Sequence, residues 1–282
     1  MNTQSGYFFD PESPAEMARL INLDQFITRN MGGPLVGIAD PSSLHTIVDL
    51  ACGPGGWVLD VAFAYPEIDV AGVDISQTMT SYANARARSQ GLTNASFGVM
   101  DIKQPLDFSD NTFDVVNTRF LFSVLQRDEW AAFIDECTRI LRPGGILRMT
   151  DMIDPAITTS AACERRMQLS FLAQARLGYG FSPIGRTVGV TSVIPSLLRN
   201  AGYQDVQHAA YALDFSHGTD AWANVYRDAE VVGRLLQPLL INSGVTTEEE
   251  AEQSYQQMLI EMHADDFCGM WHYMTMWGVK PQ

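Results

Sequence analysis

Residues 46–75, TIVDLACGPGGWVLDVAFAYPEIDVAGVDI, constrain the fold of this chain more than any other stretch. Ile47, Val48 and Leu50 form an apolar run with no polar alternation, as expected of a parallel strand covered on both faces. It leads into Cys52-Gly53-Pro54-Gly55-Gly56, where the lack of side chains lets the backbone approach a ligand closely. Trp57, Val58, Val61, Ala62 and Tyr65 then recur at helical spacing. A second apolar strand, Val70 to Val73, ends in Asp74, where a carboxylate can accept both hydroxyls of a ribose. The unit reads as a nucleotide-binding strand, turn, helix and strand.

Its glycine spacing is not that of a dinucleotide site, because Ala51 stands in the first glycine slot. No lysine follows the turn, so a triphosphate cradle is also missing. What remains is D-x-x-C-G-x-G from Asp49, with an acid 25 positions after the first. This pattern resembles motifs I and II of the class I S-adenosylmethionine-dependent methyltransferases, of the small-molecule type. The resemblance implies an α/β fold: a doubly wound, seven-stranded, mostly parallel Rossmann-like sheet with helical lid insertions. It rests on residues 46–152 and reaches the flanks only loosely. It divides the chain into a helical lid (1–40), a core binding S-adenosylmethionine (41–154), and a remainder (155–282). That remainder completes the sheet and carries substrate-cap insertions at about 155–190 and 216–267.

Ser13-Pro14-Ala15-Glu16 reads as a capping box with proline at the first helical position. The helix behind it (Met17, Leu20, Ile21, Ile27) ends at Met31-Gly32-Gly33-Pro34, and Tyr7, Phe8 and Phe9 before it are a hydrophobic tether or part of a lid. Past Asp74, Ser76 is expected to cap a helix that Gly91 stops. A third strand spans Ala95 to Met100, and a fourth runs from Phe113 to Val116. Asp128 is expected to cap the next helix, whose Trp130, Phe133, Ile134, Cys137, Ile140 and Leu141 follow i, i+3, i+4, i+7 spacing. A fifth strand spans Ile146 to Met149 and ends at Thr150-Asp151. Helices are then expected over 155–180, 191–200, 219–241 and 246–264, with strands over 203–215 and 271–279. The resemblance makes the last strand antiparallel.

Gly53, Gly55, Asp74, Asp101, Asn117, Arg119 and Asp151 fall just past the carboxyl ends of predicted strands, the edge where open parallel sheets bind ligands. The resemblance assigns their roles. Gly53 and Gly55 let the methionine part of the cofactor cross the backbone, with Ala51 still small enough for close approach. Asp74 takes the ribose diol. Asp101 takes the adenine amino group or caps its strand, while Ile75, Met79 and Ile102 pack on the ring. Asp49 supports the turn and the cofactor's ammonium, Asn117 offers backbone near it, and Tyr7 is placed in the lid over the cofactor. Arg119 binds a carboxylate or forms a salt bridge. Methyl transfer from a sulfonium needs in-line placement and sometimes a base. His217, His263 and Glu164 are positional candidates for that base, with His272 and Asp154 beside them, and no motif joins them. The resemblance implies S-adenosylmethionine as the cofactor and S-adenosylhomocysteine as the product.

A formal charge of −15 repels nucleic acid. Apolar runs are short of a membrane span, and the amino end lacks the pattern of a secretory signal. The four cysteines form no CxxC pair, which favours reduced, mostly packed thiols in a cytoplasmic protein and no metal site. Aromatic residues and methionines in the additions suit an apolar pocket for a hydrophobic metabolite or natural product, with methylation at O, N or C. They suit a plain core or a homo-oligomer interface equally well. Two other functions stay open: a cyclase or pericyclase that keeps the cofactor without transferring methyl, and a nicotinamide oxidoreductase, which the glycine spacing opposes.

Overall fold

The computed structural model describes residues 9–282, and Tyr7 and Phe8 lie outside them. Among the described residues one seven-stranded sheet runs in the order β3-β2-β1-β4-β5-β7-β6. Its strands are β1 (Thr46–Leu50), β2 (Asp69–Asp74), β3 (Ala95–Val99), β4 (Phe113–Arg119), β5 (Leu141–Thr158), β6 (Gln204–Asp214) and β7 (Gly269–Val279). Pairing is parallel from β3 to β5, and β7 is antiparallel to both β5 and β6. The order reverses between β1 and β4, the switch point where such sheets open a crevice at their carboxyl ends. The expected doubly wound, mostly parallel sheet is therefore present, antiparallel last strand included.

Helices cover both faces because the strands are apolar on both. On one side α2 (Gly56–Ala64) packs Trp57, Val58 and Val61 on Ile47, Val70 and Val115. On the other, α4 (Trp130–Ile140) and α6 (Val190–Asn200) bury Trp130, Phe133, Ile194 and Leu198 against Val48, Val116 and Leu147. Each fully buried large side chain contributes about 1.5–3 kcal/mol. Between β2 and β3, α3 (Gln77–Gln90) starts at Ser76, whose hydroxyl accepts from the Met79 N–H, and stops at Gly91 in the left-handed region.

The remaining helices gather over the carboxyl edge of the sheet. They are α1 (Pro14–Asn30), α5 (Ala161–Arg176), α7 (Trp222–Leu235), α8 (Gln237–Asn242) and α9 (Glu248–Met262). Ile27 and Met31 join Phe215, Tyr255, Met258 and Trp271 in one apolar cluster there. A second cluster joins Leu169 and Ala173 to Leu239 and Leu240. No helix of the described residues is long and apolar enough to cross a membrane.

Several boundaries differ from the sequence reading. β4 and β5 outrun their expected ends, because β4 keeps pairing to Arg119–Thr150 and β7 accompanies β5 from Ile146 to Thr158. Asn117, Arg119 and Asp151 therefore lie within strands, and residues 155–158 are strand rather than helix. Asp128 does not cap α4. Glu129 occupies that position with helical backbone and no side-chain cap, its carboxylate receiving the Gln126 N–H at 2.7 Å and Lys103 at 2.8 Å. At α1, Ser13 does accept from the Glu16 N–H, but the Ser13 N–H donates to the Asp10 carbonyl. Arg19 takes the Glu16 carboxylate, so the box is half made. The helix expected over 219–241 divides at Leu236, where Pro238 in the first turn of α8 has no N–H to continue the ladder.

Candidate active site

A cavity of about 290 Å³ opens above the carboxyl ends of β1, β2 and β4, roofed by α1, α5, α7 and α9. Nine of the expected cofactor residues share its wall: Asp49, Ala51, Gly53, Asp74, Ile75, Met79, Asp101, Ile102 and Arg119. The glycine turn places the first of them. Ala51 (φ 58°) and Gly53 (φ 54°) both adopt the left-handed region, which Ala51 holds at a cost of roughly 1 kcal/mol. The turn brings the Gly53 N–H to Asp74 Oδ2 at 2.8 Å, while the Ser76 N–H donates to Oδ1 at 2.9 Å. Each carboxylate oxygen keeps a second lone pair for a ligand hydroxyl. Burial raises the Asp74 carboxyl above its ordinary range, and the two backbone donors oppose that rise.

Asp49 is 3% exposed and accepts from Asn117 Nδ2 at 2.7 Å. Asn117 Oδ1 in turn accepts from the buried Arg148 at 2.5 Å. Burial pushes the Asp49 carboxyl up to about 7, against the pull of Arg119. Asp101 Oδ1 accepts from the Lys103 N–H at 3.0 Å, which turns the chain out of β3. Met79 and Ile102, both buried, form an apolar part of the same wall. Arg119 forms an ion pair with Asp24 of α1 at the cavity wall. Burial works to lower its pKa, and Asp24 and Asp49 outweigh that effect and raise it.

Two expected cofactor residues lie off the wall. Gly55 caps α2 at φ 76°, and a Cβ there would stand 2.5 Å from the Phe97 ring and 2.8 Å from Ala83 Cβ. Its constraint is helix packing rather than ligand passage. Asn117 is fully buried, with its side chain donating to Asp49. Asp151 is also buried below the site, accepting from the N–H groups of Met152 and Phe122. The base candidates stand apart as well. His217 and His263 pack edge-on to Trp222 at 5.2 and 5.0 Å, away from the lining, and Glu164 points outward from α5.

The cap-side wall is apolar (Met152, Met167, Phe171, Val225, Met258, Trp271), with a few polar groups that the sequence reading passed over. Arg166 is 2% exposed and donates to the carbonyls of Ala251 (2.8 Å) and Gly233 (2.6 Å), tying α5 to α7 and α9. Asp228 of α7 meets Arg19 of α1 at 2.9 Å, and burial raises its carboxyl pKa against that partner. Asp24 was legible in principle, since it interrupts the apolar stripe of α1 between Leu20 and Ile27.

Comparison with known proteins agrees with this geometry. Residues 47–145 match the family described as a methyltransferase domain. The ubiquinone/menaquinone biosynthesis C-methyltransferase UbiE of Desulfotalea psychrophila is 26% identical over 206 residues, 67% of this chain and 74% of that protein. Methyltransferase GfsG of Streptomyces halstedii is 28% identical over 156 residues, 54% of this chain, which spans 51% of GfsG. Other curated relatives are likewise matched over about half their length. Among solved structures, phosphoethanolamine N-methyltransferase 2 of Haemonchus contortus, in complex with S-adenosyl-L-methionine, superposes with a TM-score of 0.53 at 19% identity. That match covers 90% of this chain and 52% of the other, and it shows the shared fold.

Proposed function

We propose that this chain, whose residues 47–145 match a methyltransferase domain, acts as a class I S-adenosylmethionine-dependent methyltransferase on a small, hydrophobic metabolite or natural product. One observation carries the reading. A single cavity joins the glycine turn and Asp74 at one end to an apolar helical cap at the other. The residues fit the cofactor. Asp74 keeps free lone pairs at the end of β2, Met79 and Ile102 offer a flat apolar surface, and the turn at Gly53 presents bare backbone. When bound, the cofactor supplies a methyl group activated on a sulfonium. This chain's residues hold the acceptor in line with it, and the apolar cap excludes water from the transfer.

Quinone ring carbons are one acceptor class worth testing first, from the name of the UbiE relative, and phenols and hydroxylated polyketides are the next. Transfer of label from S-adenosylmethionine labelled in the methyl group should be measured with a panel of these acceptors and followed by mass spectrometry. Label in an apolar product, with one S-adenosylhomocysteine formed per methyl, is the expected result. An acceptor that is converted while the label stays on the cofactor would instead place the chain among cyclases on this scaffold.

A further inference from the structure

The wall beside the glycine turn carries an ion pair whose members come from opposite sides of the site. Asp24 projects from α1 and Arg119 from β4, with side chains 10% and 11% exposed. Arg119 Nη2 donates to Asp24 Oδ1, and Nη1 donates to Thr28 Oγ1 at 3.1 Å. The Asp24 carboxylate rests on the first residue of α2, for a Cβ built on Gly56 would fall 1.8 Å from its Oδ2. Glycine at 56 is thus what admits a carboxylate to this spot. Gly53, Pro54 and Asp49 line the same cavity.

Arg119 lies within electrostatic reach of Asp24, Asp49 and Asp60, and Arg148 offsets part of the charge of Asp49. Asp24 and Asp49 line the cavity and can take an incoming cation. An incoming anion has Arg119 as its partner there, and must take it from Asp24. The amino-acid end of S-adenosylmethionine has both charges, an ammonium and a carboxylate on one carbon. We propose that the Asp24–Arg119 pair opens to receive this end in series, the ammonium on Asp24 and the carboxylate on Arg119. The direct tie between α1 and β4 then becomes a ligand-bridged one, and α1 reports whether the amino-acid end is present. The proposal rests on the cofactor reading above and assigns α1 a binding residue that the motif pattern does not contain.

Two probes separate it from a purely structural tie: S-adenosylhomocysteine, and 5′-methylthioadenosine, which lacks the amino-acid end. Calorimetric titrations of the wild type, Asp24→Asn and Thr28→Val should be compared. Asp24→Asn should weaken S-adenosylhomocysteine by about 10- to 100-fold, as the loss of a charge-assisted contact would. It should leave 5′-methylthioadenosine within about twofold, and Thr28→Val should leave both ligands within about twofold. Unchanged or tighter S-adenosylhomocysteine binding in Asp24→Asn overturns the proposal, because Asp24 would then be a bystander or a competitor for Arg119. A parallel loss of both ligands also overturns it, leaving only a tether. Should Asp24→Asn fail to fold, hydrogen exchange on the wild type decides. S-adenosylhomocysteine must protect α1 where 5′-methylthioadenosine does not, and equal protection refutes the bridge. If neither ligand binds the wild type, the cofactor reading itself has failed.

Discussion

Gly55 and Gly53 show how two glycines of one turn are required for different reasons. Gly53 faces the cavity, with ordinary space around its Cα, and gives its N–H to Asp74. Gly55 combines φ 76° with a missing Cβ that would otherwise strike Phe97. Gly55→Ala should therefore lower stability by about 2–3 kcal/mol through backbone strain and overpacking. In a melting experiment without ligand that is a fall of roughly 5–10 °C. A variant that melts like the wild type yet no longer binds S-adenosylhomocysteine would return Gly55 to the ligand path. The spacing of glycines announces such a turn, but it cannot say which Cα faces a ligand and which faces Phe97. That distinction depends on a ring 42 positions away in the sequence.

At the scale of elements, the cap depends on a few polar ties between helices that are otherwise apolar. Arg166 donates to the Gly233 carbonyl of α7, and to the Ala251 carbonyl and the Ser254 hydroxyl (3.1 Å) of α9. Arg166→Met keeps the volume and removes every donor, stranding buried acceptors at a cost of about 2–4 kcal/mol. The loss should be local. Hydrogen exchange is expected to quicken in α7 and α9 while β1, β2 and β4 keep their protection. Uniform acceleration across the sheet would mean that cap and core unfold together. The core elements were legible in the sequence because β1, β2 and β4 are short, mostly apolar segments and α4 is strongly amphipathic. The cap was not, since its helices mix Arg165, Arg166 and Gln174 among apolar residues. Only the packing shows that Arg166 turns inward while Glu164 and Arg165 stay exposed.

Over the whole molecule, buried carboxyls make stability depend on pH. Burial raises Asp151 and Asp49 to about 7 in the folded chain, from 3.8. Between those values the folded state holds protons that the unfolded state has released. Stability from these two groups is thus full below about pH 4 and declines as pH rises through about 7. Asp151 accounts for on the order of 4 kcal/mol of that decline. Asp151→Asn keeps an acceptor for the surrounding N–H groups and cannot ionise. It should match the wild type at or below about pH 4 and exceed it at pH 8 in denaturant titrations. A variant less stable than the wild type at pH 8 would show that the ionised carboxylate is held favourably.

The central claim, that the carboxyl edge of this sheet binds S-adenosylmethionine through the end of β2, is tested most directly by calorimetric titration of S-adenosylhomocysteine into the wild type and Asp74→Ala. The wild type should bind in the micromolar range, roughly −7 to −8 kcal/mol. Asp74→Ala should lose about 2–3 kcal/mol of that as the ribose contacts disappear. It should also melt earlier, because the N–H groups of Gly53 and Ser76 lose their acceptor. Asp74→Asn should fall between the two. Wild-type affinity retained in Asp74→Ala, or no binding by the wild type at high protein concentration, would contradict the account.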